Sequence, residues 1–281
     1  MFKKATKLKS SPKILLLGAS GSGKTWTSLE IAHGLTNNWE DVYVIDTEAS
    51  AAKYANSSKE FMVAELETHE LDGFISAIQA ADGAGRCIII DSITHLWSGV
   101  GGLLSAQKDL ENTPRYRNAP MGSWSEINTR LASFFLEVRK CKAAVIVTCR
   151  TKDRLIRQEG SRGYIKVSDA IMFREGYLDY EFDVAFMLES DHSATCYKDR
   201  TGIFDSMDPR VLDVNTAQII KEWAATGVSD VQAIIKKDLR SAVEVAIDAG
   251  VLSSENAEKA LAVPQDKMKK TLEYINKIIK K

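Results

Sequence analysis

The sequence predicts an α/β fold: a mainly parallel central sheet, extended by antiparallel strands and followed by a small helical region. Three observations carry this. The apolar runs "KILLLG", "VYVIDTE", "CIIIDSI" and "AAVIVTC" are continuous rather than alternating, which marks strands buried on both faces. Helix-length segments separate them, as parallel neighbours require. Strand character then gives way near 224–232 to a Lys- and Glu-rich stretch with helical spacing.

Residues 13–18 read as the first strand. The next segment reads as a helix from about Lys24, with Leu29, Ile31, Ala32 and Leu35 for its buried side. Strands follow at 42–48 and 61–66, with a helix over about 72–82. "CIIIDSI" (87–93) is the next strand, and a long polar segment runs to about 121. A helix is predicted over 123–142 and a strand over 143–149. Beyond 164, "YIKVSDAIMF", "DYEFDVAFMLES", "ATCYKDR" and "GIFD" read as shorter antiparallel strands extending the sheet. The domain reading is an N-terminal arm at 1–12, a core at 13–225 and a helical C-terminal region at 226–281.

With 281 residues, 44% hydrophobic and 27% charged, the chain can bury a sizeable core. A net charge of −1 announces no polyanion partner, so any nucleic-acid contact needs local basic patches. Cys87, Cys141, Cys149 and Cys196 show no paired spacing, and His33, His69, His95 and His192 are scattered. A disulfide framework and a zinc site are therefore not expected, and a reducing compartment is. "MFKKATKLKSSPK" lacks the apolar stretch of a signal peptide, and no run reaches the roughly 20 residues needed to cross a bilayer. The expectation is a cytoplasmic protein without a membrane partner. Trp97 and Trp124 are read as core residues.

"GASGSGKT" fits G-x-x-x-x-G-K-[ST], with a strand before it and a helix after it. Gly18, Ala19, Ser20, Gly21, Ser22 and Gly23 would wrap their backbone N–H groups around phosphate, helped by the positive end of the helix dipole. Lys24 would reach the β- and γ-phosphates of ATP, and the Thr25 hydroxyl would ligate Mg²⁺. Asp91, at the end of an apolar strand, supplies a second magnesium anchor. Hydrolysis also needs a group that orients water. The position after Asp91 is Ser92, which leaves Glu48 at the end of "VYVIDTE". A solvated strand-end carboxylate is the alternative for Glu48.

A glutamate at that strand end, in "IDTEAS", resembles the RecA-type recombinase core. The resemblance covers about 13–210 and is strongest to the short recombinase-like ATPases of bacteriophages, including those linked to single-strand annealing. It implies a RecA-like P-loop NTPase fold, with Glu48 as the catalytic carboxylate and Tyr54 stacking on adenine. "VIVTCR" ends where a polar residue would sense the γ-phosphate, and Thr148 and Arg150 both qualify. In "YKDR", Lys198 and Arg200 resemble cations that complete a neighbour's site. An exposed pair on a hairpin is the alternative.

"PMGSWSEINTRL" resembles the helix after the family's first DNA loop. That implies single-stranded DNA contacts from Arg115, Tyr116 and Arg117 and, in a second loop, from Lys152, Arg154, Arg157, Arg162 and Tyr164. Cations with interleaved aromatics suit a single-strand groove; a solvated hairpin is the rival reading. Phe2 and Ala5 form an F-x-x-A pattern resembling the plug that links recombinase subunits into rings or filaments. Further implied partners are a single-strand-binding protein or another recombination protein, in the host cytoplasm if the chain is phage-encoded. A nucleotide or small-molecule kinase and a nucleotide-dependent loader or switch stay open as alternatives.

Overall fold

The computed structural model describes residues 9–157, 164–174, 177–226, 231–263 and 267–279. Two compact units divide the chain, one spanning Ser11–Trp223 and the other running from Ala224 onward. Phe2, Ala5 and Arg162 lie outside the described residues.

The first unit is built on strands β1 (Lys13–Gly18), β2 (Val42–Asp46), β3 (Met62–Glu65), β4 (Cys87–Asp91), β5 (Ala144–Arg157), β6 (Tyr164–Ile171), β7 (Val184–Leu188) and β8 (Ala194–Asp199). Their order is β3-β2-β4-β5-β1-β7-β8, with β6 paired to β5. Six neighbouring pairs define that order. Five are parallel, and only β7–β8 is antiparallel.

The continuous apolar runs have a direct explanation. Leu15, Leu17, Ile45, Ile88, Ile90, Val145 and Val147 point to one face of the sheet and pack in one cluster. Ile14, Leu16, Val42, Val44, Ile89 and Ile146 point to the other face and pack in a second. The first face is covered by α2 (Leu71–Ala81), α3 (Ile93–Ser98), α4 (Leu103–Glu111) and α5 (Met121–Lys140). The second is covered by α1 (Lys24–Thr36) and α6 (Val214–Ala225). On α1, Leu29, Ile31 and Ala32 are buried and Leu35 is partly buried, as the spacing predicts.

The structure corrects five expectations. The segment after Asp91 is not an extended polar stretch, because α3 and α4 lie within it and bury Ile93, Leu96 and Leu103. β5 runs on to Arg157, well past Cys149. β7 is parallel to β1, not an antiparallel extension; its start is pinned by Asp183, whose carboxylate accepts the Lys13 N–H at 2.9 Å. "GIFD" is a turn, not a strand. The Asp199 carboxylate gathers the N–H groups of Thr201, Ile203 and Phe204 at 2.6–2.7 Å and seats the Phe204 ring in the core. Helix resumes at Val214, about ten residues earlier than the sequence suggests.

The four cysteines are unpaired, and Cys87 and Cys149 are fully buried. Burial pushes the Cys87 thiol up to about 12 and that of Cys149 to about 11, so both pack as neutral, inert side chains. Trp97 and Trp124 pack 6.2 Å apart against the first cluster, as expected. No described helix is long and apolar enough to cross a membrane.

The C-terminal unit carries α7 (Val231–Asp248), α8 (Ser254–Leu261) and α9 (Met268–Ile279). It has its own core of Leu239, Val243, Ala246, Ala257, Met268 and Ile275.

Candidate functional site

The site lies at the C-terminal ends of β1, β2 and β4 and beside the middle of β5, where a parallel sheet directs its loops to one edge. β1 ends at Gly18 and α1 begins at Lys24. Between them the chain turns through Gly21 and Gly23, with φ of 82° and 86°. Side chains pay for that left-handed backbone and glycine does not. A Cβ at Gly18 would meet the Leu188 carbonyl oxygen at 2.8 Å and collide with the Ser22 hydroxyl. A Cβ at Gly23 would lie 2.9 Å from Nδ1 of His192. The loop is therefore a tight backbone cradle.

Within it, the Ser22 hydroxyl is buried and has no hydrogen-bond partner. It lies against Gly18 and not on the wall of the cavity. Lys24 is 8% exposed and folds back over the loop, donating to the carbonyls of Gly18 at 2.9 Å and Ala19 at 2.8 Å. Burial lowers the pKa of its ammonium, opposed by the charges of Asp91 and Glu48. A phosphate would relieve that desolvation.

Asp91 is 1% exposed. The Thr25 hydroxyl donates to one carboxylate oxygen at 2.6 Å, and the Thr148 hydroxyl donates to the other at 2.5 Å. Burial raises the pKa of this carboxyl although both hydroxyls oppose the shift. A hydroxyl and a carboxylate side by side form a hard oxygen donor set, and this suits Mg²⁺.

Glu48 reaches the cavity on a loop held from below. The Asp46 carboxylate accepts the backbone N–H groups of Glu48, Ser50 and Ala51 at 2.7–2.8 Å. Thr47 straps the same loop to β4, through its N–H to the Asp91 carbonyl at 2.8 Å and through its hydroxyl, which accepts the Ser92 N–H at 2.8 Å. Arg150 grips the Glu48 carboxylate through two nitrogens, at 2.9 and 2.8 Å. Burial works against the Glu48 charge, but the hydrogen bond and charge of Arg150, with smaller help from His95 and Lys24, hold its pKa below the ordinary value. Glu48 is thus an ionised acceptor.

These groups share one cavity of 570 Å³, within the range of a small-molecule site. Tyr54 and Arg150 line it too. Thr148 does not line it, being fully buried beneath Asp91. Of the two sensor candidates, Arg150 faces the cavity and Thr148 orients the carboxylate.

The remaining candidates are placed elsewhere. Lys198 donates to the Phe182 carbonyl at 2.7 Å and Arg200 to that of Tyr180 at 2.6 Å, and neither lines this cavity. Arg115, Arg117 and Lys152 are exposed. Tyr116 is a correction: it is 9% exposed, its hydroxyl donates to Glu126 at 3.1 Å, and its ring lies against Gly122, so it offers no free face to a base. Arg154 and Arg157 belong to β5 and Tyr164 to β6, with their side chains outside the described residues. Sequence reasoning missed Trp26, Ser50, Asp191, His192 and Val211, all of which line the cavity. An aromatic in the first turn of α1, off its apolar side, was the signal for Trp26.

Fold and site together define a P-loop nucleotide-binding ATPase. A family model described as an AAA domain matches residues 10–217, and the chain belongs to that AAA/P-loop ATPase family. No curated protein matches the chain.

Proposed function

We propose that the protein is a RecA-like ATPase of the bacteriophage type, acting on single-stranded DNA in recombination, annealing or repair. One observation carries the reading: an ionised Glu48, held by Arg150, shares a cavity with Lys24, Thr25 and Asp91. The loop N–H groups and Lys24 bind the triphosphate, and Glu48 orients or deprotonates the attacking water. Arg150, midway along β5, meets the γ-phosphate side of the cavity and exchanges Glu48 for phosphate as its partner. Mg²⁺ would be held by Thr25 and Asp91 and would offset the charge on the β- and γ-phosphates.

The DNA reading is supported by the exposed Arg115, Arg117 and Lys152. In the assembled ring or filament, Lys198 and Arg200 complete a neighbour's site, so an isolated monomer turns over slowly. The test is ATP turnover titrated with single-stranded DNA in the wild type and in Glu48→Gln. Stimulation by DNA, with nucleotide retained and turnover lost in the variant, supports the proposal. Phosphate transfer to a nucleoside would replace it with a kinase. A second reading, a loader whose partner docks on the helical unit, is favoured by the separate core of α7–α9. Deleting residues 226–281 and losing partner capture alone would select it.

A further inference from the structure

The cavity is lined by two chemically different sets of residues. One is the phosphate loop with Lys24, Thr25, Glu48, Asp91 and Arg150; the other comprises Trp26, Tyr54 and Val211. Trp26 is 48% exposed and Tyr54 37% exposed, among the few large aromatics of the described residues left so open. Their ring centroids are 6.0 Å apart with an interplanar angle of 61°, an edge-to-face contact that fixes both rings.

The indole is also held from outside the cavity. The Lys59 ammonium sits 4.0 Å from its ring centroid. That ammonium is itself anchored at 2.7 Å by Glu30, one turn further along α1. A cation on one π-face stabilises the ring through its quadrupole and occupies that face. What Trp26 gives the cavity is a ring already oriented, at little cost in rotamer entropy on binding.

We infer that Trp26 is the nucleoside-binding wall of the site, stacking on the base of the triphosphate whose phosphates the loop holds. The inference rests on the nucleotide reading above and adds to it a residue and a division of labour. The loop recognises phosphate, while Trp26 and its Lys59–Glu30 support determine that the phosphate must carry a base. Every base has a π-face, so the wall discriminates nucleotide from bare polyphosphate far more than one base from another.

The test compares Mg-ATP with Mg-tripolyphosphate by calorimetry on the full chain, in wild type, Trp26→Ala and Trp26→Phe. Removing one stacked aromatic weakens ATP binding about 5- to 150-fold. Tripolyphosphate affinity should stay within about twofold, and Trp26→Phe should recover most of the ATP affinity. Equal loss of both ligands would mean that the substitution disturbs the loop, and this overturns the inference. So does unchanged ATP affinity in Trp26→Ala. If the wild type binds tripolyphosphate but prefers ATP by less than about twofold, the aromatic wall is idle and the inference fails while the phosphate site stands. If the wild type binds neither, the nucleotide reading itself falls.

Discussion

Arg150→Ala isolates the contact on which the catalytic reading turns. The Arg150 and Glu48 side chains are 36% and 23% exposed, so the pair is neither a surface bridge nor a dry one. Exposed pairs contribute about 0.2–1 kcal/mol, and hydrogen bonds to charged groups about 1.5–3 kcal/mol. Two nitrogens on one carboxylate oxygen, discounted for solvent, place the loss at about 1–1.5 kcal/mol near neutral pH. The pH dependence has a definite sign. Arg150 holds the Glu48 pKa below its ordinary 4.5, so the stability it adds is present above that pH and fades as pH falls through the lower folded value. Urea unfolding of wild type and variant from pH 8 down to pH 3 measures this, with the two curves converging on the acid side. A difference that is flat across that range, or one below about 0.3 kcal/mol at pH 7, would show that the ion pair does not order Glu48.

Three other outcomes are expected. Gly23→Ala should lose about 1–2 kcal/mol, because φ is +86° there, and removing the His192 ring as well should restore only the smaller, steric part. Chemical denaturation of both variants measures it, and a neutral Gly23→Ala would contradict the cradle geometry. Phe135→Ala should cost about 3–5 kcal/mol, because its ring is 1% exposed and meets Phe134 at 5.1 Å and Tyr177 at 5.5 Å. A urea midpoint shift reads this directly. Lys24→Met should leave apo stability within about 1 kcal/mol, as a buried cation is exchanged for lost carbonyl contacts. It should also remove the rise in Tm that Mg-ATP gives the wild type, and a retained rise would exclude Lys24 as the phosphate ligand.

The strands were legible because burial on both faces writes itself as uninterrupted apolar sequence. Asp91 and Glu48 were legible because each ends such a run. What escaped depends on partners far along the chain. β7 takes its direction from β1, and the bond from the Lys13 N–H to Asp183 that sets its start spans 170 residues. The Arg150–Glu48 contact spans 102 residues. It is invisible to local pattern, although both residues were singled out separately. Tyr116 reads as a basic-loop aromatic until Gly122 and Glu126 on α5 take its ring and hydroxyl. α3 and α4 were hidden because Gly99, Gly101 and Gly102 break the periodicity between them.

β1, flanked by β5 and β7 and buried along its whole length, has a thermodynamic consequence for the ligand it serves. A loop hung from an interior strand is anchored at its base, because the amides of β1 are hydrogen-bonded between two neighbours and exchange with solvent only in the deepest openings of the sheet, while the exposed turn at Ser20 and Gly21 lacks that protection. Bound nucleotide is then coupled to the whole unit rather than to a local flap, and a ligand at about a hundredfold excess over its Kd adds about 2.7 kcal/mol to the stability of every strand together.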